Sequence, residues 1–518
     1  MGTRADKLRM LGNLVYEADG IVLSINKSAK DGYTPATLYI EDDIDILIIY
    51  KLTELFQKDN LFEHLTKLKI TGNGRPKRMI LGGYGCSTFY YSNKIVELDI
   101  DIDTSRITDA SHMFSYLRLL HKIEFTRFDT SNMTSMKNMF FNCNSLKALD
   151  LSSFNTSKVE HMDSMFQHCG IDTLDLRSFD TSNVKTMDRM FDNMNNITKI
   201  DTSSFNTGNV ETMVSMFRGC TELESLELNN FDMRKVTDIP NMFEGCYKLS
   251  RLEIDTWDTP ELICCDFVFA YSVNIITLDI HNMDFRKVVT ANSMFRGCTY
   301  LENIKFPDSD KMSFKSAKSL SSMFNDCAWI RRIDLTCLVG SNVNCIENMF
   351  NRCRSLKEIN MQDFSPSSKC SANHAFSNCT DLESINLSGL AGTHIISPSN
   401  GIVDTEKNLS FIFGHGRINN NIDIEYKIVN ETILASYKSI KTNRVMTKQS
   451  SITEGIPLNM LAHIASRKGK RKGDVIDITK EVEEFLYNAR EAYWMADENI
   501  PYGIVSPSIT LYYRVVQD

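Results

Sequence analysis

No apolar run in this chain of 518 residues approaches 18, the length at which a helix becomes a candidate to span a bilayer. A membrane span is therefore not expected. Positive charge is also in short supply. Lys and Arg number 57 against 66 Asp and Glu, and the formal charge of −9 argues against general affinity for nucleic acid, which needs a concentrated cationic surface. Residues 1–7 lead into no apolar segment of adequate length and no small-residue cleavage site, so no secretory signal is expected. The sequence has no C-x-x-C pair with a matching second pair and no calcium-loop spacing. Its ten His are scattered, and none stands beside a Ser or Cys in a recognised catalytic motif. The glycines at 82–85 and 414–416 lack the Lys and Ser/Thr of a phosphate loop and read as turns. Catalytic, cofactor and metal residues are accordingly expected to be none. The basic run at 467–472 contains a glycine and reads as a solvated loop.

What the chain has instead is a period. Phe114, Phe140, Phe166, Phe191, Phe217, Phe243, Phe269, Phe295, Phe324, Phe350 and Phe376 follow one another at intervals of 25 or 26 residues, with a single interval of 29. A fixed spacing of this length marks a solenoid, in which each unit is too small to bury its own apolar face and must stack on its neighbours. Within residues 146–166, Leu149 and Leu151 alternate with polar residues as a half-buried strand does. Asn155, Thr156 and Ser157 supply turn chemistry. Val159, Met162, Met165 and Phe166 then fall on one side of a short helix or 3₁₀ segment. Each unit thus reads strand, turn, short helical turn, return.

The segments LKALDLSSFNTSKVEHMDSMFQHC (146–169) and IDTLDLRSFDTSNVKTMDRMFDNM (171–194) resemble the leucine-rich-repeat variant of the BspA-like surface proteins, over about residues 90–395. The resemblance implies recognition of proteins or host surfaces rather than catalysis. With the period, it sets an expected α/β architecture: a leucine-rich-repeat-like solenoid with a parallel sheet and short helical turns, about 11–12 repeats of 26 residues. The expected domains are a capping segment at 1–60, the solenoid at 61–395 and a C-terminal β-rich, sandwich-like domain at 396–518. In the first of these, a helix is expected near 5–16 and an apolar strand near 44–52; Phe89, 25 residues before Phe114, extends the period backwards. In the last, 422–428 and 509–516 alternate as strands, and 480–496 reads as a helix capped by Thr479.

Two columns emerge when the repeats are aligned. Cys143, Cys169, Cys220, Cys246, Cys298, Cys327, Cys353 and Cys379 each follow a repeat Phe by three residues, a packing position for a small buried hydrophobe. Between the two core positions of each strand stand Asp99, Glu124, Asp150, Asp175, Asp201, Glu227, Glu253 and Asp279, followed by Lys305, Asp334, Asn360 and Asn386. Strands lie about 4.8 Å apart, so eight successive acids would form a ladder whose like charges repel. Lys122, Lys199, Arg251 and Arg332, two residues earlier in their strands, are the cations at hand to offset it. This ladder is the candidate binding face. The expected function is non-enzymatic recognition or adhesion with the repeats as a protein-binding scaffold, towards a basic protein partner or assembly neighbours; by architectural analogy, a glycan is the candidate ligand of the C-terminal domain. The alternative is a structural or host-attachment component of a bacteriophage virion or other large assembly. Cytoplasmic synthesis, with a route to a virion or surface that bypasses the classical signal, fits both.

Overall fold

The computed structural model describes residues 3–11, 13–18, 21–25, 34–48, 65–81, 94–308, 310–335, 342–360, 367, 370–381 and 384–386, together with short strands beyond residue 395. Phe89, the glycine segments 82–85 and 414–416, the basic run 467–472 and the expected helix at 480–496 with its cap Thr479 lie outside the described residues. The chain forms two compact units, residues 1–258 and 259–518.

The first unit opens with helix α1 (Arg4–Met10), whose Thr3 Oγ accepts from the Asp6 N–H at 3.2 Å while the Asp6 carboxylate accepts from the Thr3 N–H at 2.8 Å. The helix is shorter than expected. Val15 and Tyr16, which favour a pleated strand, fall instead in β1 (Leu14–Ala18), antiparallel to β2 (Ile21–Ile25). All five residues of β2 are buried, as suits a strand covered on both faces. Next come β3 (Thr34–Ile40), β4 (Ile46–Ile48), β5 (Leu65–Gly72), β6 (Arg78–Ile80), β7 (Glu97–Asp101) and β8 (Lys122–Thr126). Six of these strands form one sheet in the order β1-β2-β3-β5-β7-β8, antiparallel up to β3 and parallel from β3 onward. An antiparallel meander therefore leads into a parallel stack.

From there most repeats contribute a three-residue strand; the repeat of Leu149 and Asp150, expected to be one, has no assigned strand. In the first unit Thr173–Asp175 pairs in parallel with Lys199–Asp201, and Ser225–Glu227 with Arg251–Glu253. In the second, Thr277–Asp279 pairs with Asn303–Lys305, and Arg332–Asp334, Glu358–Asn360 and Ser384–Asn386 form one parallel sheet. The structure is a mostly parallel solenoid built on a 26-residue step.

On the opposite side of each repeat the helical turns stay single, and the backbone explains why. In the rung ending at Cys169, the N–H groups of Met165, Gln167 and Cys169 close turns onto the carbonyls three residues back, at 3.0–3.2 Å. The intervening N–H groups of Ser164, Phe166 and His168 instead donate to Asp188, Met190 and Asp192 of the next rung, at 2.8–2.9 Å. Alternate donors are thus spent within the rung and between rungs, and none is stranded in the core. A continuous helix would aim every N–H along its own axis. The chain avoids that by placing a left-handed residue two before and two after each repeat Phe: Asn138 and Asn142, Ser164 and His168, Ser215 and Gly219, Asn241 and Gly245, all with φ between 53° and 71°.

The core follows the period. In the first unit the rings of Phe114, Phe140, Phe166, Phe191, Phe217 and Phe243 stack in sequence with centroids 5.2–5.9 Å apart. In the second unit Phe269, Phe295, Phe324, Phe350 and Phe376 do so at 5.2–5.5 Å. All eight aligned cysteines are buried, and each thiol donates to the carbonyl of the preceding repeat Phe at 3.0–3.2 Å, Cys220 to Phe191 and Cys246 to Phe217 among them. The column is a packing position that also satisfies a backbone acceptor. Beyond residue 395, Val445–Thr447, Thr432–Ser439, Ile422–Val429, Leu511–Arg514 and Val475–Asp477 form, in that order, one mixed five-stranded sheet.

Candidate functional site

Strand register decides whether the acids share a column. Asp99 stands opposite Glu124, Asp175 opposite Asp201, and Glu227 opposite Glu253 in the first unit; in the second, Asp279 stands opposite Lys305. Lys69 of β5 precedes Asp99 in the same column. Because side chains alternate across a strand, these residues point to the face opposite the buried Leu174, Ile200 and Leu226.

The repulsion of this arrangement is offset locally, by two devices. The first is an Asx-type turn, in which the backbone N–H two residues on donates to the carboxylate. Asp150 accepts from Ser152 N–H at 2.9 Å, Asp175 from Arg177 at 3.0 Å and Asp201 from Ser203 at 3.1 Å. These bonds favour the charged form, and the Ser152 and Ser203 contacts hold Asp150 and Asp201 below the ordinary carboxylate range. At Asp175 the Arg177 guanidinium, 2.6 Å away, adds to the turn and brings the pKa down to about 2.

The second device is an interposed cation. Lys69 Nζ lies 2.6 Å from Asp99, Lys122 Nζ lies 2.5 Å from Glu124, and Arg251 hydrogen-bonds Glu253 through Nε at 2.9 Å while standing 3.8 Å from Glu227. In the second unit, burial acts to raise the pKa of Asp279, but His281 Nδ1 at 2.6 Å and Lys305 Nζ at 3.0 Å bring the net shift below the ordinary value. Of the four cations singled out in the sequence, Lys122 and Arg251 pair with ladder acids, and Arg332 pairs with Glu358 at 3.5 Å. Lys69, Arg177 and Lys305, whose spacing differs, do the same work.

One charged cluster went unread in the sequence because it does not recur. Asp192, fully buried one residue after Phe191, accepts from Gln167 Nε2 and Asn193 Nδ2 at 2.6 Å and from Arg218 Nε at 2.9 Å, with Arg218 Nη2 at 3.4 Å. It ties three successive rungs together. His168 sits half-buried beside it, and burial pushes the His168 pKa down. His161 lies 3.2 Å from the Thr186 hydroxyl of the next rung. Among the described residues no group of three or more His, Cys, Asp or Glu side chains is placed to hold a metal ion, and no helix is long and apolar enough to cross a membrane.

A search of curated proteins found no match. Among solved structures, the chain is similar to a chain of the Toll–Spatzle complex of Drosophila at 12% identity, covering 71% of this chain and 64% of that one with a TM-score of 0.17. It is similar to a chain of the TLR13–ssRNA13 complex at 16% identity, covering 65% and 54% with a TM-score of 0.16. The functional domain of InlJ from Listeria monocytogenes, which includes a cysteine ladder, shows 12% identity, coverage of 74% and 86%, and a TM-score of 0.19. The chain spans less than two thirds of the first two of these. A family model described as "Mycoplasma protein of unknown function, DUF285" matches residues 86–200, 170–276, 220–328 and 265–389, more than half of the sequence, and the chain belongs to that family.

Proposed function

We propose that the chain is a non-enzymatic recognition protein that presents the strand face of its first unit to a protein partner. The observation that carries this reading is the register of that face: one exposed or half-exposed polar position per rung, held in line by parallel pairing from Asp175 to Asp201 and from Glu227 to Glu253. A rigid row of this kind offers a partner many contacts at a fixed step without the entropy cost of ordering loops. The local partners of the acids are exposed, and Arg177 and Arg251 can exchange them for groups on a docking protein at small cost, since exposed ion pairs contribute little.

The test replaces Asp175, Asp201 and Glu227 together by Asn, Asn and Gln, preserving shape while removing charge. A stoichiometric partner retained by the original chain at low salt and lost by the triple variant supports recognition through this face. Equal retention by both moves recognition elsewhere on the molecule and removes the acid column from the account. Screening should narrow the difference between the two as salt rises.

A further inference from the structure

Eight large apolar side chains are exposed among the described residues, and three of them, Ile276, Tyr300 and Trp329, lie on consecutive rungs of the second unit, 51%, 41% and 49% exposed. The backbone fixes the proximity of the two aromatic residues: Tyr300 N–H donates to Val273 at 3.2 Å, and Trp329 N–H donates to Thr299 at 3.1 Å, whereas Ile276 accepts from Glu302 N–H at 2.9 Å. The two rings meet edge to face, centroids 5.1 Å apart and planes at 89°. On the following rung Ser355 N–H donates to Ala328 at 3.0 Å and Lys357 N–H to Arg331 at 2.9 Å, which brings Arg354 and Arg331 alongside Trp329. Both arginines are exposed, and no described acidic side chain pairs with either. Solvated chains rarely leave a Trp and a Tyr in water side by side, and Trp, Tyr and Arg are the side chains that dominate interface energetics.

We propose that this aromatic–arginine patch is a second interaction surface, whose partner is an acidic polypeptide segment carrying an apolar side chain. Perpendicular rings form a corner, which an aliphatic side chain fills; successive bases of a single strand stack instead on ring faces. The exposed guanidinium forks match carboxylates in plane and number of donors. The patch belongs to the second unit and is independent of the acid column of the first.

The experiment titrates the intact protein into a fluorescein-labelled synthetic peptide of alternating Glu and Leu, read by anisotropy, with a Lys–Leu peptide and a labelled oligo-dT of equal charge as comparisons. Saturable binding of the acidic peptide is expected, at least tenfold weaker for Trp329→Ala and for the double variant Arg331→Glu, Arg354→Glu. Both variants should melt as the parent does, since all three side chains are exposed; Arg331→Gln with Arg354→Gln serves as the milder pair. Absence of saturable binding, unchanged affinity in either variant, or tighter binding of oligo-dT than of the acidic peptide would each overturn the proposal.

Discussion

Replacing Phe217 by Ala removes the middle of the aromatic column in the first unit. The side chain is fully buried, with Phe191 stacked 5.3 Å to one side and Phe243 5.8 Å to the other. Phe→Ala in a packed core costs about 3–5 kcal/mol, transfer and cavity together. Each stacked contact contributes roughly 0.5–1.5 kcal/mol beyond area alone, and two are lost here. The upper half of the range applies, about 4 kcal/mol, because neighbours held at a fixed rung step on both sides cannot close the gap. With a urea slope of about 2–3 kcal/mol/M the midpoint should fall by about 1.3–2 M. Repeat arrays can open in segments, so the assay pairs far-UV circular dichroism in urea with hydrogen exchange of the amides at 213–220. Phe217→Leu, which fills most of the volume, should lose less than half as much. A shift below about 0.3 M for Phe217→Ala, with unchanged slope, would refute a column that bears on stability.

Two further substitutions test the backbone and the thiols. Gly219 has φ +68° and a Cβ placed there would stand 2.6 Å from Asn193 Oδ1, whereas Gly245, at φ +71°, leaves 3.9 Å to the nearest atom; Gly219→Ala should therefore destabilise by more than the roughly 1 kcal/mol of left-handed strain expected for Gly245→Ala, and equal melting temperatures for the two would contradict the steric account. Burial pushes the Cys246 thiol up to about 12, so at pH 8 about one molecule in ten thousand carries the thiolate there, and iodoacetamide should label Cys246 in denaturant but barely in the native protein. Labelling at similar rates in both, followed by mass spectrometry, would place that cysteine outside the core.

The period made the fold legible. Phe217, Cys220 and Glu227 could each be assigned to a column because the same type returns at the same step, and register then follows from stacking alone. What lay within a rung was harder. The left-handed positions are filled by Asn138, Gly219 and Gly245, which signal themselves, but also by Arg189 and Phe267, which do not, so no residue type marks the position along the whole array. An apolar i, i+3 pattern such as Met162, Met165 looks the same whether successive N–H groups feed one helix or alternate between two rungs. In the candidate face the acids were visible and their partners were not: the turn donors Ser152 and Ser203 lie two residues beyond the acids, close enough to be read as mere turn polarity. Asp192 is the one Asp at its repeat position, and alignment by period hides what occurs once.

The single long interval shows how such a chain changes length. Between Phe295 and Phe324 three extra residues fall after strand Asn303–Lys305 and before Met312, yet the two rings remain 5.2 Å apart and Thr290 still bridges Ser319. Phe285 and Phe314, on either side of the insertion, keep their own contact at 4.9 Å. The inter-rung hydrogen bonds on either side of it, Ile280 N–H to Lys305 and Phe285 N–H to Lys311, close at 3.0 and 2.8 Å. The stack can therefore accept extra residues at this one bend without disturbing the contacts of the neighbouring rungs. Asp308, exposed in this bend and beyond Phe306, whose ring packs against Phe295 and Phe324, marks the place to insert a foreign epitope or a reporter peptide.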